Sequence, residues 1–242
     1  MSKNPAIHDR PPPMHPAGDS KDGWLTLLEQ GANLLQDAAP LKHFDVYVVG
    51  FHCAKCDPNM QMEAHHYCKV VNNDLLQCVI FDGNTADANL IGIEYIVSEQ
   101  LFDSLPDDEK PYWHPHNYEV LSGELIAPGL PDAAEKQLMK RLINSYGKTW
   151  HTWHTGRHDG KDTGNALPLG EPMLMWSFNR AGECEEPLKE NRDQILRIDT
   201  LRKKEERQAY VDLARPQHGV NALADRFSGT RRVPGVKDIN ES

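Results

Sequence analysis

The sequence is short of positive charge: 26 Lys and Arg stand against 36 Asp and Glu, a formal net charge of -10 at pH 7. A nucleic-acid surface needs clustered Lys and Arg, so that class of partner is excluded. Simple electrostatic docking on an anionic membrane is disfavoured for the same reason. Long apolar runs are missing too. Val46 to Phe51 is among the longest, far below the roughly 18 residues a spanning helix needs. No G-x-G-x-x-G or G-x-x-x-x-G-K-[ST] loop occurs, so nucleotide binding has no local support. Nor is there a G-x-S-x-G; Ser122-Gly123 falls inside an expected strand. Cysteines number five, an odd count, and no signal peptide opens the chain. The expectation is a soluble protein of a reduced, cytoplasmic compartment, with buried, inert thiols. Cys53-Ala54-Lys55-Cys56 is a lone C-x-x-C; Cys68 and Cys78 do not supply the second one a structural zinc site would use.

What is present fits one domain with tails: 242 residues, 39% hydrophobic, with a mean hydropathy of -0.63. Residues 1–22 are Pro-rich and charged and read as a disordered tail. Trp24 to Ala39 carries Trp24, Leu25, Leu27, Leu28, Leu34 and Leu35 at helical spacing. A helix packed on the domain is the leading reading; a peripheral contact with lipid or a partner is the alternative. Strands are expected at 43–53, 60–71, 75–82, 89–98, 117–127, 148–155 and 171–178, joined by turns such as Asn72-Asn73-Asp74. Helices are expected near 99–113, at 131–146 and, as a charged surface helix, at 186–213. The fold class is therefore α+β, a mainly antiparallel sheet of six or seven strands with helices packed on it. The domain runs from 23 to 226 and a second tail from 227 to 242.

Histidine is the compositional anomaly. Of twelve, seven lie on or beside expected strands: His52, His65, His66, His114, His116, His151 and His154. In Gln61-Met62-Glu63-Ala64-His65-His66-Tyr67-Cys68, strand alternation puts Gln61, Glu63, His65 and Tyr67 on one face and Met62, Ala64, His66 and Cys68 on the other. The first face reads as coordinating and the second as core-like. His114 and His116 would also project to one side. Glu94 lies on the Leu90/Gly92/Ile96 face and needs a partner if buried. Imidazole with carboxylate suits zinc, iron or manganese, and an incomplete protein shell leaves room for substrate. The candidate metal ligands are Glu63, His65, His116 and His151, with His66 and His114 as substitutes. Glu94 is the candidate general base, which requires its pKa to be raised towards neutrality. The alternative is a hydrogen-bonded polar cluster lining a pocket.

From Gln61 to Cys68, followed by Gly92-Ile93-Glu94-Tyr95-Ile96-Val97-Ser98, the chain resembles the oil body-associated protein family. The resemblance continues through Trp113 to Val120, Tyr146 to His151, Leu167 to Gly170, Pro216 to Gly219 and Leu223 to Asp225. It covers roughly residues 41–226; the Cys53-x-x-Cys56 segment departs from it. It implies association with lipid droplets and no particular reaction. Two functional readings follow. The first is a metal-dependent enzyme, of hydrolase or non-haem oxygenase type, acting on a small or lipid-derived substrate. The second is a non-catalytic, peripheral protein of the lipid-droplet surface. A homodimeric scaffold without a site is a third.

Overall fold

A computed structural model describes residues 4 and 6–241. Its centre is a ring of six antiparallel strands: β1 (Val46–Ala54), β2 (Gln61–Val70), β3 (Leu75–Phe81), β4 (Leu90–Val97), β6 (Tyr146–His151) and β7 (Met173–Trp176). Around the ring the order is β4-β3-β2-β1-β7-β6, and β6 closes it by pairing with β4. A two-residue strand, β5 (His114–Pro115), adds to the free first half of β6. The expected α+β antiparallel sheet with helices packed on it is instead a closed barrel. The expectation failed because local patterning reports each strand but not the β4–β6 pairing, which joins residues about 55 positions apart in sequence.

Closure gives each strand an inner and an outer face. Val48, Gly50, His52 and Ala54 of β1 stand opposite His66, Ala64 and Met62 of β2, and this set faces inward. Register carries the inner face on to Cys78 and Ile80, then to Gly92, Glu94 and Ile96, and then to Gly147, Thr149 and His151. The barrel interior is layered. Val48, Leu76 and Ile96 join Val120, Met139, Leu142 and Ile143 at one end. At the other, Ala54 and Met62 pack with Met175, while Ala64, Ile80 and Ile91 form a neighbouring cluster. Glu94 and the histidines lie between. Cys68 faces Cys78 across β2 and β3, and the two are joined as a disulfide. That corrects the expectation of inert thiols for this pair; Cys53 and Cys184 are buried and free.

Among the described residues there are six α-helices. The expected strand at 117–127 is instead α3 (Asn117–Ser122), ended by Gly123 in the left-handed region (φ 82). All six of its residues are buried. A helix covered on every side shows no polar stripe, so its sequence imitates strand alternation. The charged 186–213 segment is two helices, α5 (Glu186–Leu196) and α6 (Thr200–Arg207), broken at Arg197. They are not a surface appendage. Leu188 and Arg192 of α5, and Lys203 and Arg207 of α6, are buried, and α6 binds α4 (Asp132–Leu142) through Lys203 and Arg207 to Glu135.

Of the two expected tails, residues 1–3, 5 and 242 lie outside the described residues. Arg10 is buried against the outside of β2, and Val236 and Asp238 are buried near the other end of the chain. The helix foreseen at 24–39 is α1 (Gly23–Leu35), capped by Asp22 Oδ1 accepting from the Leu25 amide. It buries none of its residues, so the expectation that its apolar stripe packs on the domain is overturned.

Candidate functional site

Two groups of titratable side chains lie on opposite faces of the same strand. On the outer face of β2, Glu63 and His65 belong to a chain of hydrogen bonds. The Glu63 carboxylate can only accept, so His65 Nε2 donates to Glu63 Oε1 (2.9 Å). His65 Nδ1 then accepts from the Tyr47 hydroxyl (2.7 Å), to which Asn84 Nδ2 donates in turn (3.2 Å). Arg10 completes the carboxylate, Nε donating to Oε1 at 3.2 Å and Nη2 to Oε2. Burial opposes charge on Glu63, but His65, His158 and Arg10 outweigh it and hold the carboxyl well below its ordinary range. Burial raises the Tyr47 hydroxyl pKa. Both Glu63 oxygens and both His65 nitrogens have partners. These two expected ligands lie outside the barrel, in a network already satisfied without a metal ion.

The inner face differs. His66 Nε2 is 2.8 Å from Glu94 Oε2, while His114 Nε2 and His116 Nε2 lie 3.3 and 3.4 Å from Glu94 Oε1. The two Nε2 atoms are 3.2 Å apart. His52, His66, Glu94, His114 and His116 are all buried, at 0–3% exposure. Two sets of three, His52/His66/Glu94 and Glu94/His114/His116, have ligand atoms close enough to hold a metal ion. His151 is one step away, its Nε2 3.2 Å from His52 Nδ1 and its Nδ1 3.1 Å from Met62 Sδ. Of the expected site residues, the fold therefore gathers Glu94, His66, His114 and His116, places His151 beside them, and separates Glu63 and His65. It adds His52, whose parity on β1 and inward neighbours Val48 and Gly50 were the available sequence signal.

Supporting bonds set the direction of the lone pairs. Ser145 Oγ donates to the Leu142 carbonyl (2.7 Å) and so accepts from His116 Nδ1 (2.8 Å), which leaves His116 Nε2 to accept from His114 Nε2 (3.2 Å). Met62 Sδ can only accept, so His151 Nδ1 carries its proton, His151 Nε2 accepts from His52, and His52 Nε2 is bare. Such outer bonds are what orient imidazoles on a metal. Burial lowers the pKa values of His52 and His114, and that of His151 to about 3. Burial opposes the Glu94 charge, but the imidazoles, His66 first, hold it well below the ordinary carboxylate value. A general base raised towards neutrality is not what this environment makes.

A third feature is apolar and exposed. At 100° per residue, Trp24, Leu28, Gly31 and Leu35 run along the middle of one side of α1. Leu27 and Leu34 flank them on one edge, and Leu25 and Ala32 on the other; Thr26, Glu29, Gln30 and Asn33 lie opposite. Trp24 is 65% exposed, Leu27 66%, Leu34 83% and Leu35 84%. An added Cβ on Gly31 would meet nothing within 4 Å.

Comparison with known proteins points one way. The family model described as "Protein of unknown function (DUF1264)" matches residues 38–211. Oil body-associated protein 1A of Zea mays is 40% identical over 208 residues, 86% of this chain and 84% of that one. Oil body-associated protein 2B of Arabidopsis thaliana is 40% identical over 187 residues, 76% and 73% of the two chains. Oil body-associated protein 1B of Arabidopsis thaliana is 35% identical over 213 residues, 88% and 84%. No solved structure matches.

Proposed function

The chain belongs to the oil body-associated protein family, and on that premise we propose that it is a peripheral protein of lipid-droplet surfaces, seated by the apolar side of α1. The observation that supports this is the unpartnered stripe of α1, with Trp24, Leu27, Leu34 and Leu35 each more than three-fifths exposed. Among the described residues no helix is long and apolar enough to cross a membrane, so contact through α1 is interfacial. The helix contains no Lys or Arg. Its flanking lysines, Lys21 and Lys42, are paired with Glu29 and Asp37. With a net charge of -10 on the whole chain, attraction to anionic lipid headgroups has no source. The docking surface is a neutral phospholipid monolayer over neutral oil, held by apolar burial alone.

Fully burying a side chain of this size contributes about 1.5–3 kcal/mol, so six give on the order of 10 kcal/mol. Ordering α1 and partial immersion subtract from that, since a helix of this length is marginal by itself. Enough remains for reversible binding. The catalytic reading lacks a comparable observation, because Glu94 and its histidines are enclosed.

Flotation on triolein droplets coated with phosphatidylcholine tests the proposal. The wild-type chain should float, and a Leu27→Glu/Leu35→Glu chain should lose at least tenfold in the bound-to-free ratio, its melting temperature unchanged. Wild-type protein that stays at the bottom, or equal flotation of the two chains, would overturn it.

A further inference from the structure

We propose that the barrel interior is a closed site for one first-row divalent transition metal, of which zinc is the type, held by Glu94, His114 and His116. The site does not depend on α1 or on lipid.

The spacing of the donor atoms is the first ground. Glu94 Oε1, His114 Nε2 and His116 Nε2 form a nearly equilateral triangle with sides of 3.2, 3.3 and 3.4 Å. A tetrahedral ion bound at about 2.0–2.1 Å spaces its ligand atoms by about 3.3–3.4 Å. The donor set excludes the hard cations, since calcium and magnesium take oxygen shells while imidazole suits zinc and its neighbours.

The second ground is an unmet bonding need. Glu94 Oε1, His66 Nε2 and His66 Nδ1 are buried with no hydrogen-bond partner among the described residues. The outer network on β2 shows what this sequence does when a buried Glu–His pair is to stand alone: Glu63 receives Arg10 as well as His65. No arginine or lysine approaches Glu94 within ion-pairing distance among the described residues. The hydrogen bond between His114 Nε2 and His116 Nε2 (3.2 Å) leaves Glu94 Oε1 as the unpartnered member of the three. Ser145 holds the His116 ring in place.

Gly147 is the third ground. A Cβ built on it would lie 2.0 Å from Glu94 Oε1, 2.6 Å from His114 Nε2 and 2.7 Å from His116 Nε2. The strand omits a side chain where the three donors converge, and any larger residue would fill the cradle. On the other side of Glu94, His66 Nε2 lies 2.8 Å from the second carboxylate oxygen.

Enclosure decides what the ion does. Three protein ligands leave the ion a fourth position for water, but with those ligands 0–3% exposed that position is enclosed in the barrel and closed to a substrate from solvent. The ion enters as the barrel closes, and its binding energy adds to folding.

The experiment is to unfold the full chain in guanidinium with chelator, remove both, and refold it with Zn²⁺, with Co²⁺ or with chelator present. Mass spectrometry of the metal content should give about one equivalent per folded chain. The zinc form should melt higher than the chelator form, and the cobalt form should show visible d–d bands of a four-coordinate site. Glu94→Gln, His116→Gln and Gly147→Ala should each lose the metal at least tenfold. Glu63→Gln and His65→Gln, on the outer face, should keep it. Should the inner variants fail to fold, the wild-type refolding comparison and the cobalt spectrum still decide. A folded wild-type chain with less than a tenth of an equivalent, or equal melting in zinc and chelator, would overturn the proposal. So would metal retained in folded Glu94→Gln and His116→Gln.

Discussion

Arg10→Ala is the substitution whose effect departs most from the sequence expectation. Arg10 falls in the Pro-rich stretch read as a tail, where a change would be silent. In the fold it is 3% exposed and donates to both oxygens of Glu63 and to Asn191 Oδ1 (2.7 Å). Removing one partner of a buried ion pair costs about 3–5 kcal/mol, because the other charge stays buried. Here the cost should fall near the lower end. His158 Nδ1 lies 3.7 Å from Glu63 Oε2, and its pKa, lowered to about 4 by burial with a contribution from Arg10, rises once Arg10 is gone. A loss of about 3 kcal/mol in a chain of this size lowers the melting temperature by roughly 6–12 °C. The pH dependence has a definite sign. The folded carboxyl of Glu63 sits below its unfolded value of 4.5, so its contribution is complete above that pH and fades as the pH falls. Urea titrations followed by circular dichroism should therefore separate wild type from Arg10→Ala at pH 7, and the gap should narrow below pH 4.5. Arg10→Ala/Glu63→Gln should recover part of the loss. A difference under about 0.5 kcal/mol at pH 7, the size of an ordinary surface change, would refute the reasoning.

Two further outcomes follow from the same packing. Cys68→Ala/Cys78→Ala removes a cross-link spanning 10 residues, and the urea midpoint of the oxidised protein should fall by the equivalent of about 2–3 kcal/mol; reductant should then have no further effect. Leu34→Ser should change stability by less than about 0.5 kcal/mol, whereas Ile80→Ala, fully buried in the barrel, should cost about 2–5 kcal/mol, both read from thermal melts.

The sequence showed the strands well and the arrangement poorly. β2, β3 and β4 lie within a residue or two of where alternation and turn residues put them, because each signal is local. Barrel closure is not local, and α3, buried all round, carries no amphipathic signature. The candidate site was legible in composition, since repeated His and Glu on strands is unusual, and the parity of Glu94, His114 and His116 was readable. What misled was the rule that the more polar face of a strand is the coordinating one. On β2 the face holding Met62, Ala64 and Cys68 is indeed internal, but His66 on that same face is the one that meets Glu94. The more polar face, with Glu63 and His65, is covered by Arg10, a residue 53 positions away from Glu63 that no strand pattern could bring there. The amphipathic pattern of α1 was clear, but an apolar stripe does not say what covers it.

Hydrogen exchange of the full chain, with and without phosphatidylcholine-coated triolein droplets, tests the proposed docking most directly. Free α1 has no buried residue and is short enough to be marginal alone, so its amides should exchange fast. Droplets should slow exchange across residues 23–35 by at least about tenfold, a stabilisation of about 1.4 kcal/mol, and leave β1 to β4 unchanged. Protection confined to the exposed barrel wall at Leu90 and Ile93, or no protection of 23–35 at saturating droplets, would contradict it.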